Sequence, residues 1–489
     1  MARSHGAGLQ RDAVGLMSVL FMSVTNMAPA AAVAFSILFA APYAGGSTPL
    51  AVLLGLIVLT LVAISIGQLA KHLPSAGGLY TYNAQGLGSG MGFLVGWAFI
   101  LAEVIVAPGG FLILGNVISG VLHTNLGWPT WTWAPFGVVA AIMTWFLVYR
   151  GVRLSTTAGV LLGTFELLVF LALAITLIVA AGPHNTLAVF GVHTGNAKGL
   201  GSVIPGVLYA VFGIIGFEAA APLGEEARDP KRTVPRAVVL SCLVIGLFYL
   251  ICYYAATVYW GPGRMPGFLG FNSGDPWSGL AHKVWGLGFI AVIIALVNSG
   301  IAGSNASSTA TTRVGYAMGR IGLLPRVFTS VNERFRTPTW AVHVQAVFAM
   351  AYLVILGFVL HGPLNALVLQ GTISTILIVA IYILTCVSCI VYYLREQRRH
   401  FNVLLHFVVP LVGGLALVPV LLAAFGIDFA GLGITGLTYP ADLAPLICLA
   451  WMVVGVGLLL YFMVRDRSRI TETRRIFTEE TPAEQNRAA

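Results

Sequence analysis

The chain has 489 residues, of which 58% are hydrophobic and only 9% are charged, and its mean hydropathy is +0.90. Soluble domains carry about 25% charged residues, so the composition excludes an ordinary soluble protein and indicates an all-α protein that crosses a membrane many times. The formal net charge is +9, but the basic residues lie in short loops at helix ends, where membrane orientation explains them better than a nucleic-acid partner does.

Twelve apolar stretches are each long enough to cross a bilayer as a helix, which takes about 20 residues. In chain order, spans 1 to 12 are 13–42, 49–71, 91–122, 134–150, 155–182, 202–223, 236–260, 284–312, 338–360, 364–394, 403–426 and 442–464. The two termini and the loops after even-numbered spans hold all Lys and Arg except Lys198, Arg264 and Lys283. This asymmetry predicts a multi-pass protein of the cytoplasmic membrane with both termini in the cytoplasm.

The segments outside the spans suggest no further domain. Residues 1–12 form a short cytoplasmic N-terminus, and the charged segment 465–489 is expected to be a disordered cytoplasmic tail. The sequence has no phosphate-binding loop or hydrolase motif in a supporting context, so we expect neither an ATP-driven pump nor an enzyme. The five cysteines fall inside spans and are expected to be buried thiols rather than metal ligands. Several tryptophans of the outer loops, among them Trp128, Trp131, Trp133 and Trp277, are expected to anchor the helices at the membrane surface.

Two spans carry residues that interrupt a helix. Span 1 contains "NMAPAAAV", in which Pro29 lacks a backbone N–H and suits the first position of a new helix. Span 6 contains "FGIIGFE", in which Gly213 and Gly216 lower the cost of unwinding beside Glu218. A proline kink and glycine-mediated packing are the alternatives. Paired interruptions in two halves of a membrane protein are typical of the central site of a transporter.

The broken helices predict the chemistry of the cargo. The N-terminus of a half-helix presents free N–H groups and a positive dipole end, which suit a carboxylate. Carbonyl groups at the end of the preceding half-helix suit an ammonium group. An amino acid or a related amine is therefore the expected cargo. Phe212 and Phe217 either cover that ligand as a gate or pack in the core.

Three stretches of the sequence resemble the amino acid–polyamine–organocation (APC) superfamily of permeases. They are "GQLAKHLPSAGGLYTYNAQGLGSGMGFLVGW", "GFEAAAPLGEEARDPKRTVPRAV" and "ATTRVGYAMGRIGLLPRVFTSVNERFRTPTWAV". The resemblance implies a LeuT-like 5+5 inverted repeat plus two extra helices, with alternating access around spans 1 and 6. The repeats would be residues 13–182 and 202–394, followed by two helices in 403–464. It also implies amino acid transport, often coupled to protons.

The resemblance assigns the substrate-binding residues by position. They are Asn26, Met27, Ala28, Pro29, Ala30, Ala31, Phe212, Gly213, Ile215, Gly216 and Phe217. The chain departs from the family at three places. Span 1 lacks the glycine-rich motif usual in the family, and Gln68 stands in span 2 where many relatives have an acid. Glu166 stands in span 5 where some proton-coupled relatives have a lysine.

Three acids lie inside predicted spans, where charge is costly: Glu103, Glu166 and Glu218. Each is a candidate for proton or ion coupling, and interhelical hydrogen bonding is the alternative. Glu166 could hold a proton, bind sodium or pair with a cationic substrate, and the family position favours the proton. Span 8 contains "NSGIAGSNASSTATTR", in which Ser304, Asn305 and Ser308 are candidates to complete a cation site beside span 1.

The sequence therefore predicts a proton-coupled amino acid permease with no cofactor except its coupling ion, proton or sodium. A polyamine or other cationic-amine permease is the alternative cargo class, favoured by the three intramembrane acids. A transporter-like nutrient receptor is the alternative from another class. The alternating charges from Glu225 to Arg232 after span 6 are either a solvated cluster or a cytoplasmic gate. The oligomeric state does not follow from the sequence.

Overall fold

The structure is a computed structural model that describes residues 15–73, 77–151, 156–225, 227–320, 322, 324–332, 334–335, 337–428, 431–466 and 470. Within these residues it is nearly all helical, and the one β feature is an isolated bridge between Val331 and Pro338. The predicted N-terminal segment 1–12 and nearly all of the predicted tail lie outside the described residues. The division of the chain into two repeats by residue number stays a prediction.

The α-helices, in chain order, are α1 (Leu16–Asn26), α2 (Pro29–Ala44), α3 (Thr48–Ala70), α4 (Leu79–Leu87), α5 (Ser89–Val104), α6 (Val106–Leu126), α7 (Trp133–Tyr149), α8 (Thr156–Ala181), α9 (Leu200–Ile214), α10 (Pro230–Trp260), α11 (Pro276–Trp285), α12 (Phe289–Arg320), α13 (Thr339–Ala351), α14 (Gly357–Val359), α15 (Pro363–Arg395), α16 (Val409–Ala424) and α17 (Ala444–Arg465). Two π-helical turns, Tyr352–Leu356 and Leu404–Val408, and a 3₁₀ helix, Phe217–Glu225, complete the spans.

Eleven segments of the described residues are long and apolar enough to cross a membrane. The first, Leu16–Ala70, has 55 residues, about twice the length that one crossing needs. It comprises spans 1 and 2, which meet at a 3₁₀ turn at Gly45–Ser47, so the predicted number of twelve crossings is preserved. Spans 1, 3 and 6 each consist of two helical pieces, α1 with α2, α5 with α6, and α9 with the 3₁₀ helix.

One large apolar core holds the interrupted spans together. Within it α2 packs against α9, α6 packs against α12, and α15 contacts both α6 and α9. Helix α1 contacts α8, α10, α12 and the 3₁₀ helix. Residues from spans 5, 6, 7 and 8 therefore surround span 1 near its interruption, and the Tyr249 hydroxyl of α10 donates to the Met27 carbonyl at 3.4 Å.

The aromatic and thiol side chains only partly follow the sequence prediction. Trp128 and Trp131 are exposed, as surface anchors should be. Trp277 is fully buried and packs on Phe170, and Trp133 is buried beside Gly357, so the anchoring role is wrong for these two. An indole ring buries a large apolar area when a pocket is present. All five cysteines are buried and unpaired, as predicted.

Candidate functional site

Span 1 is interrupted at the residues that the sequence predicts. Helix α1 ends at Asn26, Met27 and Ala28 lie between the helices, and Pro29 is the first residue of α2. Ala28 has the left-handed conformation, with φ 44° and ψ 64°, which costs about 1 kcal/mol or more for a residue with a side chain. The residue before a proline is disfavoured in the α conformation, and Pro29 has no N–H to continue the bonding of α1, so both residues favour a break here.

Span 6 is interrupted over a shorter segment than predicted. Helix α9 continues to Ile214, Ile215 is extended with ψ 143°, and Gly216 has φ +116°. Only glycine adopts that φ without strain. Gly213 remains helical, and a Cβ added there would lie 2.8 Å from the Ser36 hydroxyl oxygen. Gly213 therefore allows close packing of α9 on α2, whereas Gly216 forms the break.

The two breaks lie against each other. A Cβ added to Gly216 would be 3.1 Å from the Met27 Cγ and 3.2 Å from the Asn26 Nδ2. The Ser23 hydroxyl donates a 3.3 Å hydrogen bond to the Phe217 carbonyl, which joins α1 to the 3₁₀ helix. Six predicted substrate-binding residues, from Asn26 to Ala31, thus lie around the same point as Ile215, Gly216 and Phe217.

Glu166 lies at the start of α2. The Ala30 N–H donates a hydrogen bond of 3.4 Å to its Oε2, and the side-chain amide of Asn298 donates to its Oε1. The Ser299 hydroxyl also hydrogen-bonds to Glu166 and accepts a 3.1 Å bond from the Ala31 N–H. Ala30, Asn298 and Ser299 all donate to this carboxyl, which acts as an acceptor for the three of them.

The donors of the first turn of α2 are therefore occupied. Pro29 has no N–H, Ala30 donates to Glu166, Ala31 donates to Ser299, and the Ala32 N–H bonds to the Ala28 carbonyl at 2.8 Å. The sequence predicts free N–H groups here for a substrate carboxylate. The structure instead shows them bound by side chains from α8 and α12.

Glu218 binds a backbone N–H at the break in span 6, as Glu166 does at the break in span 1. Its Oε2 accepts hydrogen bonds from the Gly216 N–H at 2.9 Å and from the Tyr382 hydroxyl at 2.7 Å. Its Oε1 is buried and has no hydrogen-bond partner. The fully buried Phe217 ring packs on the Tyr382 ring with 5.5 Å between centroids, so Phe217 supports the site from the core. Phe212 is half-buried, with its ring beside Gly371.

Glu103 lies at an interruption of span 3 that sequence reasoning missed. It is the second-last residue of α5, and Ile105 separates α5 from α6. Glu103 is close enough to Glu218 and Tyr382 to interact with both electrostatically. The residue that could have indicated this interruption in the sequence is Pro108, which has no N–H to donate to the Val104 carbonyl. That carbonyl accepts a 3.1 Å hydrogen bond from the Gln345 side chain instead.

The polar residues proposed for span 8 do not all face span 1. The Ser304 hydroxyl donates a 2.8 Å bond to the Ala107 carbonyl of α6, and Ser308 lines a cavity of about 10 Å³ together with Gln345. The Asn305 Oδ1 is buried without a partner. Ser304 and Ser308 therefore contact α6 and α13 in this structure, and a cation site that includes them stays a prediction. Asn298 and Ser299, at the start of the same polar run, contact span 1 instead.

The electrostatic character of the site is acidic. Glu103, Glu166 and Glu218 are only 6%, 2% and 4% exposed. Among the side chains whose burial the structure describes, no lysine or arginine is buried. The Asp229–Arg232 ion pair of the loop after span 6, at 3.6 Å, is exposed and contributes little stability. The buried acids must therefore be compensated by protons, by neutral donors or by a cationic ligand.

Comparisons with known proteins identify the family of the chain. The family model described as amino acid permease matches residues 14–459. The chain is 26% identical over 333 residues to the low-affinity putrescine importer PlaP of Escherichia coli K12, covering 63% of this chain and 67% of PlaP. It is 27% identical to the methylthioribose transporter of Bacillus subtilis, covering 87% of each chain. It is also 27% identical to the branched-chain amino acid permease BcaP of Lactococcus lactis, covering 70% of this chain and 75% of BcaP.

A solved structure confirms the fold class. The crystal structure of a manganese transporter from Eremococcus coleocola superposes with a TM-score of 0.56 over 93% of this chain and 95% of its own, at 12% sequence identity. That likeness shows a LeuT-like transporter fold and nothing about cargo. The relatives are transporters rather than enzymes. The chain therefore belongs to the amino acid permease family of the amino acid–polyamine–organocation superfamily.

Proposed function

We propose that the protein is a secondary active transporter that moves an amino acid or a related amine across the cytoplasmic membrane by alternating access around the breaks in spans 1 and 6. The observation that carries this proposal is the contact of the two breaks, Met27–Ala28 and Ile215–Gly216, beside buried carboxyl groups. Non-helical backbone at membrane depth persists only where it lines a cavity or is packed in protein. Paired broken helices are where transporters bind their cargo.

Protons are the proposed coupling ion. Glu103 and Glu218 interact electrostatically, and both are buried without a neighbouring lysine or arginine among the described residues. Two buried acids that interact in this way ionise together less readily than one does, so we propose that one of the pair carries a proton. Transfer of that proton to one side of the membrane couples transport to the pH gradient. Glu166, surrounded by donors, is better suited to remain ionised, so we assign the coupling proton to the pair instead.

The names of the relatives span several cargoes. PlaP is named for putrescine, BcaP for branched-chain amino acids, and the Bacillus protein for methylthioribose. These names support a small organic solute as the cargo here.

Uptake by the purified protein in liposomes tests the proposal. We expect at least one labelled amino acid or amine to accumulate when an inward proton gradient is applied. We expect no accumulation when only a sodium gradient is applied. Empty liposomes are the control. Sodium-driven uptake would contradict the proton assignment. Binding of a solute without any flux or exchange would contradict transport and favour the nutrient-receptor alternative. A reporter fused to each terminus tests the proposed cytoplasmic location of both ends.

A further inference from the structure

We propose that Glu166 permanently occupies the carboxylate-binding position at the start of α2, so that the transporter selects amines that lack a carboxylate over the corresponding amino acids. This inference rests on the proposed transport function and specifies its cargo class. It makes Glu166 a specificity-determining residue, distinct from the coupling role that the sequence predicts for it.

The first step concerns the available donors. A helix has N–H groups in its first turn that need partners from outside the helix, and they attract negatively charged groups. In α2 these are the N–H groups of Ala30 and Ala31, because Pro29 has none. Glu166 and Ser299 already bind both. A cargo carboxylate placed here has no free donor in the turn.

The second step concerns charge. The Glu166 carboxyl is 2% exposed and lies against Ala30, Asn298 and Ser299, all of which donate hydrogen bonds to it. A second carboxylate at the same place would bring two like charges together in a poorly solvated site. Such juxtaposition costs several kcal/mol in buried interfaces. Exclusion of carboxylates therefore acts by repulsion as well as by lack of donors.

An independent observation indicates what the site accepts. The Glu218 Oε1 is buried in a side chain that is only 4% exposed, and it has no hydrogen-bond partner. Buried acceptors are rarely left unpaired. Glu218 accepts a hydrogen bond from the N–H of Gly216, and Gly216 lies beside Met27 at the break in span 1. Glu103 is close enough to interact electrostatically with Glu218. An ammonium group of the cargo would supply the missing donor and balance the acids.

Matched pairs of solutes that differ by one carboxylate test the inference. Putrescine with ornithine, cadaverine with lysine, and agmatine with arginine are suitable, and ornithine amide controls for the size of ornithine. In each pair that the parent protein transports, we expect kcat/KM to be higher for the amine than for the amino acid by about tenfold or more. Ornithine amide should behave like putrescine, since it lacks the carboxylate.

Variants of Glu166 separate specificity from folding. Glu166→Ala frees the Ala30 N–H and removes the repulsion, so the preference for the amine should fall by about tenfold or more. Glu166→Gln fills the same space and keeps an acceptor for Ala30 but removes the negative charge, so its preference should lie between those of the parent protein and of Glu166→Ala. Glu103→Ala removes a buried acid without freeing Ala30 and should lower uptake of both members of a pair to a similar extent.

The outcomes distinguish this inference from the proposed function. Equal kcat/KM for putrescine and ornithine in the parent protein would overturn the inference, while the proposed transport function would stand. This measurement needs no variant. A parallel loss of both solutes in folded Glu166→Ala would also overturn it. Transport of none of the solutes by the parent protein would overturn the proposed function and the inference together.

Discussion

The hydroxyl of Tyr382 donates a 2.7 Å hydrogen bond to the Glu218 carboxyl, although the two residues are 164 positions apart. The bond links α15 to the break in span 6. Because Glu218 also binds the Gly216 N–H, a movement of α15 would be transmitted directly to the broken backbone. The Glu218 carboxyl therefore links span 10 to the break in span 6.

Tyr382→Phe should reduce kcat/KM for uptake by about 10- to 100-fold, because a hydrogen bond to a charged group contributes roughly 1.5–3 kcal/mol. The ring that packs on Phe217 is retained, so the protein should fold. Tyr209→Phe is the matched control, since the Tyr209 hydroxyl hydrogen-bonds to Thr372 at 3.3 Å and interacts with Tyr43, and none of these residues belongs to a break. Equal uptake by the Tyr382 variant and the parent would show that the bond is not needed.

Gly216→Ala should nearly abolish uptake. The φ of +116° is strained for alanine, and its Cβ would lie 3.1 to 3.3 Å from Met27 and Asn26, so the breaks must separate. The cost of the backbone strain alone is about 1–3 kcal/mol. Gly457→Ala in α17 is the control, because Gly457 has ordinary φ and nothing within 4 Å of its added Cβ. Comparable uptake by the two variants, measured at equal amounts of folded protein, would show that transport does not depend on the break in span 6.

The sequence predicts those features of the site that depend on local backbone chemistry. Pro29 has a fixed φ and no N–H, and these local properties favour the break in span 1. Gly213 and Gly216 looked alike in the sequence, yet one serves helix packing and the other a positive φ. The distinction depends on Ser36 and Met27, which come from another span.

The partners of the acids could not be predicted in the same way. Depth in the membrane identified Glu166 as a candidate, but its contacts, Ala30 and Asn298, are 136 and 132 residues away. No local periodicity encodes which side chain of α12 faces α8. The sequence identified the polar run of span 8 but not which of its members contact span 1, because that depends on how the helix is rotated about its axis.

Asp275→Asn should stabilise the protein at neutral pH and not in acid. Asp275, in the loop before α11, accepts a 3.2 Å bond from the Ser278 N–H, while its Oδ2 is buried without a partner. Burial raises the pKa of Asp275 from its ordinary 3.8 to about 6, opposed by the hydrogen bonds from Ser278. The native state therefore holds a proton more tightly than the unfolded chain, so stability decreases as the pH rises from about 4 to about 6.

Asparagine keeps the helix cap and carries no charge. Thermal unfolding in detergent should give a midpoint higher than the parent by roughly 1–4 °C at pH 7.5, and no gain near pH 4. Asp442→Asn, which changes an exposed acid, should alter neither midpoint. A gain for Asp275→Asn that is the same at both pH values would contradict an origin in the buried charge.

Gly303 and Ala28 should compensate for each other. A Cβ added to Gly303 in α12 would lie 2.9 Å from the Ala28 Cβ, closer than methyl groups pack. Gly303→Ala should therefore push the break in span 1 away from α12 and lower uptake by about tenfold or more, since overpacking a tight contact costs roughly 1–3 kcal/mol. Ala28→Gly removes the opposing methyl and is compatible with the left-handed backbone at that position.

The double variant Gly303→Ala with Ala28→Gly should thus recover most of the activity of Ala28→Gly alone. A double-mutant cycle of uptake rates measures this coupling, which for residues in contact is typically about 0.5–3 kcal/mol. Additive losses in the cycle would mean that the two residues do not touch in the working protein. Recovery would place α12 against the break in span 1, the same side from which Asn298 and Ser299 hold Glu166 on the start of α2.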